Sequence, residues 1–213
     1  MALIVTSNFP ADAAPRLVER LQAVAAAPRI AWIAPQTEGG RANYEQAVAS
    51  FSHLGFTQLE YCDIDREKDD VQLAFLHEFD IIYLSGGDPI AFRYHLLRAG
   101  LGGRLRQALA AGCVIVTASG GSLLLTPNVS IHRLRSESLG AVLATRARYD
   151  ALSLVEYELL PHLNCCDEAL IGSVQRYAAT TAQEVIGLPD GSALLHETPA
   201  AGFDAIGENR RFK

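Results

Sequence analysis

The segment VIVTASGGSLLLTP, Val114 to Pro127, constrains this chain more than any other. An apolar, β-branched run passes directly into small residues and then into a second apolar run. This is the pattern of a buried strand that turns sharply into a helix. Such a turn carries the residue at its tip out of the sheet and exposes it, and here that residue is Ser119. Backbones approach closely at the turn, so its neighbours must be small, as Gly120 and Gly121 are. Two positions before the serine stands Thr117, where a glycine is usual, and the added bulk could tilt the turn. Alone, the segment fits an ordinary Gly-rich strand-to-helix junction as well as an elbow bearing a nucleophile.

Two further segments bear on that choice. DIIYLSGGDP, Asp80 to Pro89, is a short apolar strand ending in the pair Gly86–Gly87, and YELLPHLN, Tyr157 to Asn164, delivers His162 behind Pro161. A serine, a histidine and two Gly-rich strand ends are the components of acyl transfer. In this ordered set the chain resembles the dipeptidase E family of serine peptidases, which includes the cyanophycinases. That family has a G-x-S-A-G nucleophile segment, an upstream GG-N/D motif and a histidine in a PH segment. Here the positions read TASGG, SGGDP and ALSLVEYELLPHLN, with EVIGLPDGSALL following in order.

The resemblance implies a class I glutamine amidotransferase-like fold and a set of roles. Ser119 is the expected nucleophile and His162 the expected general base. His53, His77 and His95 fall in helical patterns, His132 lies in the loop after the elbow, and His196 lies in the late hairpin region. The family's acid comes from the segment after the nucleophile helix, where Glu137 is the one carboxylate before Asp150. Asp150 is read as capping or positioning backbone. Glu158 precedes His162 by four residues on one strand, about 13 Å along the backbone, which is too far for contact. Gly87 and Gly120 are expected to offer N–H groups to the oxyanion. Gly120 stands where the family has alanine, which leaves a main-chain donor intact. Gly86 is expected to line the substrate site. Asp88 is read as the cap of the helix that opens at Pro89. An Asp-selective pocket needs a cation, because a buried carboxylate must be paired. Arg176, where the family carries arginine, is the expected partner, with Arg93 as a second candidate.

At 213 residues the chain suits a single α/β domain over 1–213. Net charge is −6, so attraction to nucleic acid or to an anionic membrane is not expected. Arg133, Arg135, Arg146 and Arg148 form a basic cluster that reads as a solvated face. The first apolar run is too short for a signal peptide, and no window reaches a membrane span, so a cytoplasmic protein is expected. Cys62, Cys113, Cys165 and Cys166 lack metal-ligand spacing and read as free thiols. No metal or cofactor is expected.

Strand patterns at Leu3–Thr6, Arg29–Ala34, Gln58–Cys62, Ile81–Leu84 and Val114–Thr117 alternate with helical patterns at Arg16–Ala26, Ala42–His53, Asp70–Glu78, Ile90–Leu97 and Gly103–Ala111. Asp167 to Ala182 is again helical. The whole predicts a doubly wound, mostly parallel sheet flanked by helices. Between Pro127 and Asp150 the pattern weakens into an Arg-rich loop. From Glu184 to Phe212, Gly and Pro punctuation predicts a short antiparallel extension, with Pro189–Gly191 as a turn. The expected activity is hydrolysis of small peptides, with a preference for N-terminal Asp, and a homodimer is compatible with it. The alternatives are a catalytically silent ligand-binding or regulatory protein on the same scaffold, and a broader aminopeptidase. A glutamine amidotransferase is disfavoured, since its nucleophile is cysteine.

Overall fold

The computed structural model describes residues 3–34, 40–65, 73–198 and 202–213. Its main sheet has seven strands in the order β3-β2-β4-β5-β1-β8-β9. These are β1 (Leu3–Thr6), β2 (Arg29–Ala34), β3 (Gln58–Asp63), β4 (Ile81–Leu84), β5 (Val114–Ala118), β8 (Ala193–His196) and β9 (Phe203–Ile206). The first five run parallel, and β8 and β9 add antiparallel. A separate three-stranded sheet contains β6 (Glu158–Pro161), β7 (Val185–Leu188) and β10 (Arg210–Phe212), in the order β10-β7-β6. The strand β7 pairs with β6 in parallel, not within an antiparallel extension of the main sheet as its punctuation suggested. Hydrophobic punctuation identifies strands but carries no information on which neighbour they choose.

Helices are α1 (Pro15–Gln22), α2 (Gly40–His53), α3 (Pro89–Arg98), α4 (Leu101–Ala111), α5 (Gly120–Leu123), α6 (Leu139–Thr145) and α7 (Glu168–Thr181). The helical pattern from Asp70 begins outside the described residues and ends in the 3-10 turn Leu76–Glu78. The Arg-rich loop is not structureless. It contains α6 and the 3-10 turns Ser130–Arg135 and Arg146–Tyr149.

Near-continuous apolar strands are what a sheet covered on both faces requires. Leu3, Val5, Ile33, Leu84 and Ile115 belong to one core with α3, α4, α7 and the small sheet. Ile4, Trp32, Tyr83 and Val116 belong to the other with α1 and α2. Strand alternation thus divides one sequence between two cores.

One ion pair lies inside the small-sheet side. Glu158, fully buried, pairs with Arg146 and accepts a 2.8 Å hydrogen bond from the Tyr177 hydroxyl. Burial pushes the Glu158 carboxyl up, against the opposing pull of Arg146 and Tyr177. Arg146 therefore serves the interior and is not part of a solvated basic face. Removing one partner of such a pair strands the other charge. Arg146→Met should lower unfolding stability by about 3 kcal/mol, read from urea midpoints.

Candidate active site

The elbow forms where β5 ends between β4 and β1. Ser119 has φ 46° and ψ −114°, left-handed backbone on a non-glycine residue, and its N–H donates to the Thr6 carbonyl at 3.2 Å. Strain of this kind costs on the order of 1–3 kcal/mol and persists only where the surroundings enforce it. The enforcement is visible in the two glycines that follow. A Cβ on Gly121 would lie 2.4 Å from the Leu84 carbonyl oxygen, and one on Gly120 would lie 1.9 Å from that of Gly87. The carboxyl end of β4 therefore rests directly on α5, and only glycine fits beneath it. This explains glycine at position 120, where the resembled motif has alanine: the Gly87 carbonyl occupies the space.

Thr117 does not push the elbow outward. Its side chain is fully buried and points beneath the turn, with Oγ1 2.8 Å from Ser122 Oγ and 3.2 Å from the Ile4 carbonyl. Ser122 donates to the Thr6 carbonyl at 2.7 Å, and Thr6 Oγ1 donates to the Thr117 carbonyl at 2.7 Å. The threonine thus joins β1, β5 and α5 through hydroxyls in place of the usual glycine contact.

His162 lies immediately after β6, also in left-handed backbone with φ 56°. Its Nε2 is 2.9 Å from Ser119 Oγ, and its Nδ1 is 2.7 Å from Asp190 Oδ1. Asp190 follows β7. Because β6 and β7 pair in parallel with Pro161 opposite Leu188, the residues just beyond both strands emerge side by side. Asp190 is also held by Ser7 Oγ at 2.8 Å and by Asn164 Nδ2 at 3.3 Å, and its own N–H donates to Asn164 Oδ1 at 2.9 Å. Burial pushes its carboxyl up, but the hydrogen bonds from Ser7, His162 and Asn164 and the charge of His162 outweigh that effect. The net result is a carboxyl held below the ordinary range. It remains ionised opposite the imidazole.

Glu137 is not the carboxylate at the histidine. It lies just past the 3-10 turn that ends at Arg135, where both its oxygens take hydrogen bonds from Arg133 four residues earlier, an exposed i,i+4 pair. The acid arrives from the PDG turn, whose aspartate served equally as a turn former by composition. The signal available in sequence was that PDG follows a second apolar strand, just as PH follows the first.

Gly86 packs against the elbow, since a Cβ there would be 3.5 Å from Ser119 Cβ, and Gly87 is exposed with φ 126°. The Gly120 N–H opens α5 and has no intrahelical acceptor. Asp88 caps α3, accepting from the Ile90 N–H at 2.8 Å. Arg176 is exposed on α7 and donates to Ser173 of its own helix. Arg93 donates to the Asp150 carbonyl. Neither has a described contact with Ser119, His162 or Gly87. Arg135, in contrast, donates at 3.2 Å to the Pro161 carbonyl, next to His162. His196 is buried against Tyr157, 2.9 Å from its hydroxyl. Among the described residues no group of three or more His, Cys, Asp or Glu side chains could hold a metal, and no helix is long and apolar enough to cross a membrane.

A serine on a strained strand-to-helix turn, bonded to a histidine whose other nitrogen meets a carboxylate, is the constellation of the serine hydrolases. The profile of Peptidase family S51 matches residues 3–201, and the chain belongs to that family. It is similar to the uncharacterized peptidase Lmo0363 of Listeria monocytogenes serovar 1/2a, 31% identical over 106 residues, 50% of this chain and 51% of the relative. To the uncharacterized peptidase Lin0382 of Listeria innocua serovar 6a it is 31% identical over 120 residues, 56% of each. The chain thus spans about half the length of the curated relatives it matches. Its fold matches that of a candidate peptidase E protein from Listeria monocytogenes EGD-e at TM-score 0.69 and 23% identity, covering 98% of this chain and 96% of that one. A peptidase from an acI-B1 Actinobacterium matches at TM-score 0.72 and 16% identity, with 99% and 93% covered.

The glycine contact leads to a direct test. Gly120→Ala must displace the Gly87 carbonyl, and with it the glycine pair beside Ser119. Reaction of Ser119 with a fluorophosphonate should slow by about 100-fold, the scale of one lost oxyanion donor, while the circular dichroism spectrum stays that of the parent.

Proposed function

We propose that the protein is a serine peptidase that hydrolyses small peptides through an acyl-enzyme on Ser119. The observation that carries this reading is the continuous hydrogen-bonded line from Ser119 Oγ through His162 to Asp190. His162 Nε2 takes the Ser119 proton as Oγ attacks the scissile carbonyl, and then gives it to the leaving amine. Asp190 orients the ring and stabilises the imidazolium that forms. The Gly87 and Gly120 N–H groups are the proposed oxyanion donors. Water then attacks the acyl-enzyme by the same route in reverse. Thr117 absorbed beneath the elbow and a carboxylate at the histidine favour this reading over the catalytically silent alternative. Unbridged thiols at Cys62, Cys113, Cys165 and Cys166 fit a reducing cytoplasm.

The triad is tested by comparing carboxylate variants. Asp190→Asn should reduce turnover by about 10³- to 10⁴-fold with substrate binding little changed, as loss of the orienting charge does in related sites. Glu137→Gln should stay within about twofold of the parent, since the pair it breaks is an exposed one. Ser119→Ala should abolish both turnover and fluorophosphonate labelling. A folded Ser119→Ala protein that still cleaves peptides removes the proposal.

The substrate preference is a further part of the proposal. An N-terminal aspartate side chain needs a cationic partner, and Arg135 at the histidine loop is better supported than Arg176 by its bond to the Pro161 carbonyl. Arg135→Met should lose most of the discrimination between Asp-X and Asn-X dipeptides, about tenfold or more for a charge-assisted contact of about 1.5 to 3 kcal/mol. Arg176→Met should keep it. Equal cleavage of Asp-X and Asn-X by the unaltered protein points instead to a broader aminopeptidase.

A further inference from the structure

Ser7 stands just past β1, fully buried, at a position the triad itself does not explain. Its Oγ accepts the His162 main-chain N–H at 2.8 Å, donates to Asp190 Oδ1 at 2.8 Å, and lies 3.5 Å from His162 Nδ1. Counting protons resolves this geometry. The hydroxyl has one hydrogen to donate. The amide N–H can only donate, and an ionised carboxylate can only accept, so the Ser7 hydrogen goes to Asp190. None is left for Nδ1. The 2.7 Å contact between Nδ1 and Asp190 Oδ1 must then be made by a hydrogen on Nδ1. In the neutral ring that leaves Nε2 unprotonated and facing Ser119 Oγ, which is the tautomer a general base requires.

Ser7 acts on the histidine in a second way. His162 has a left-handed backbone, and the bond from its N–H to Ser7 ties that conformation to the end of a central strand. The other side-chain support of Asp190 comes from Asn164, at 3.3 Å and on an exposed residue. Ser7 is therefore the shorter and drier of the two.

We propose that Ser7 is a positioning residue, whose single hydroxyl fixes both the His162 backbone and the Asp190 carboxylate and so sets the imidazole as the Nδ1–H tautomer. The proposal rests on the peptidase reading for its effect on rate, but its effect on the tautomer stands apart from activity.

The first measurement is the ¹⁵N spectrum of the His162 ring in the unaltered protein, assigned by its absence in His162→Gln. With the ring neutral, a single Nδ1–H tautomer is expected, and an Nε2–H ring overturns the proposal. Ser7→Ala should then yield a mixture of tautomers and lower kcat by about 10- to 100-fold, the scale of a misplaced catalytic group, with KM within about twofold. Asn164→Ala should do less. If Ser7→Ala does not fold, the near-isosteric Ser7→Cys, with its weak donor, is read in the same way. A folded variant that keeps one tautomer refutes the proposal whether or not its rate falls, because a merely structural serine would behave so. Should the unaltered protein cleave no peptide, the peptidase reading fails and the ring spectra alone decide the role of Ser7.

Discussion

The candidate site hangs on the carboxyl end of one strand. Three consecutive residues at the end of β1 each hold a different part of it. The Thr6 carbonyl takes the N–H of Ser119 and the hydroxyl of Ser122. Ser7 holds His162 and Asp190. Asn8 accepts the N–H of Gly191, in the turn that carries the acid. β1 can do this because it lies between β5 and β8, and its parallel register with β5 sets Thr6 level with Ala118. Both non-glycine residues of the triad line with left-handed backbone, Ser119 and His162, are thus bonded to the same short segment. Strain at two positions, each on the order of 1–3 kcal/mol, is borne by a strand whose residues are covered on both faces.

The second constraint is register. The serine belongs to the seven-stranded sheet, whereas the histidine and the acid belong to the three-stranded one. Parallel pairing of β6 with β7 is what brings His162 and Asp190 out at the same level. An antiparallel pair would have put their carboxyl ends at opposite edges. The small sheet is tied to the elements beside it by the buried Glu158 with Arg146 and Tyr177, which joins β6, the turn at Arg146–Tyr149 and α7. A charge at that depth is costly unless paired, so the network disfavours any packing in which these three elements drift apart.

Much of this was legible in the sequence. Strand limits from Leu3 to Thr117 came through within a residue, because β-branched runs bounded by Gly, Pro and Asp report burial directly. Ser119, His162 and the glycine pair stood out as candidates for the same reason: each ends such a run. Asp190 was passed over, since a proline, an aspartate and a glycine in sequence satisfy turn chemistry by themselves, and only the apolar strand before them hinted at another role. Glu137 attracted attention by its place in the chain after the elbow, yet its neighbour four residues back is Arg133, and on a helical turn that spacing already supplies a partner. The sequence also hid the worth of Thr117, whose hydroxyl matters only once the Ile4 carbonyl and Ser122 are known to lie below it.

Polarity is distributed in a way that follows from this architecture. Beneath the elbow, Thr6, Thr117 and Ser122 are fully or almost fully buried yet each has hydrogen-bond partners, so small hydroxyls replace apolar packing where β1, β5 and α5 converge. Hydroxyls suit that space because each donates one hydrogen and accepts others without carrying a charge that would need desolvating. Charge appears one layer higher, at Asp190; its side chain and that of His162 beside it are 22% and 34% exposed. There a carboxylate is kept ionised by donors on three sides while water still reaches the ring. The site therefore passes from dry and neutral beneath Ser119 to charged and partly solvated at Asp190 and the imidazole beside it. Such an order holds the serine rigidly while the histidine ring keeps a face open to solvent.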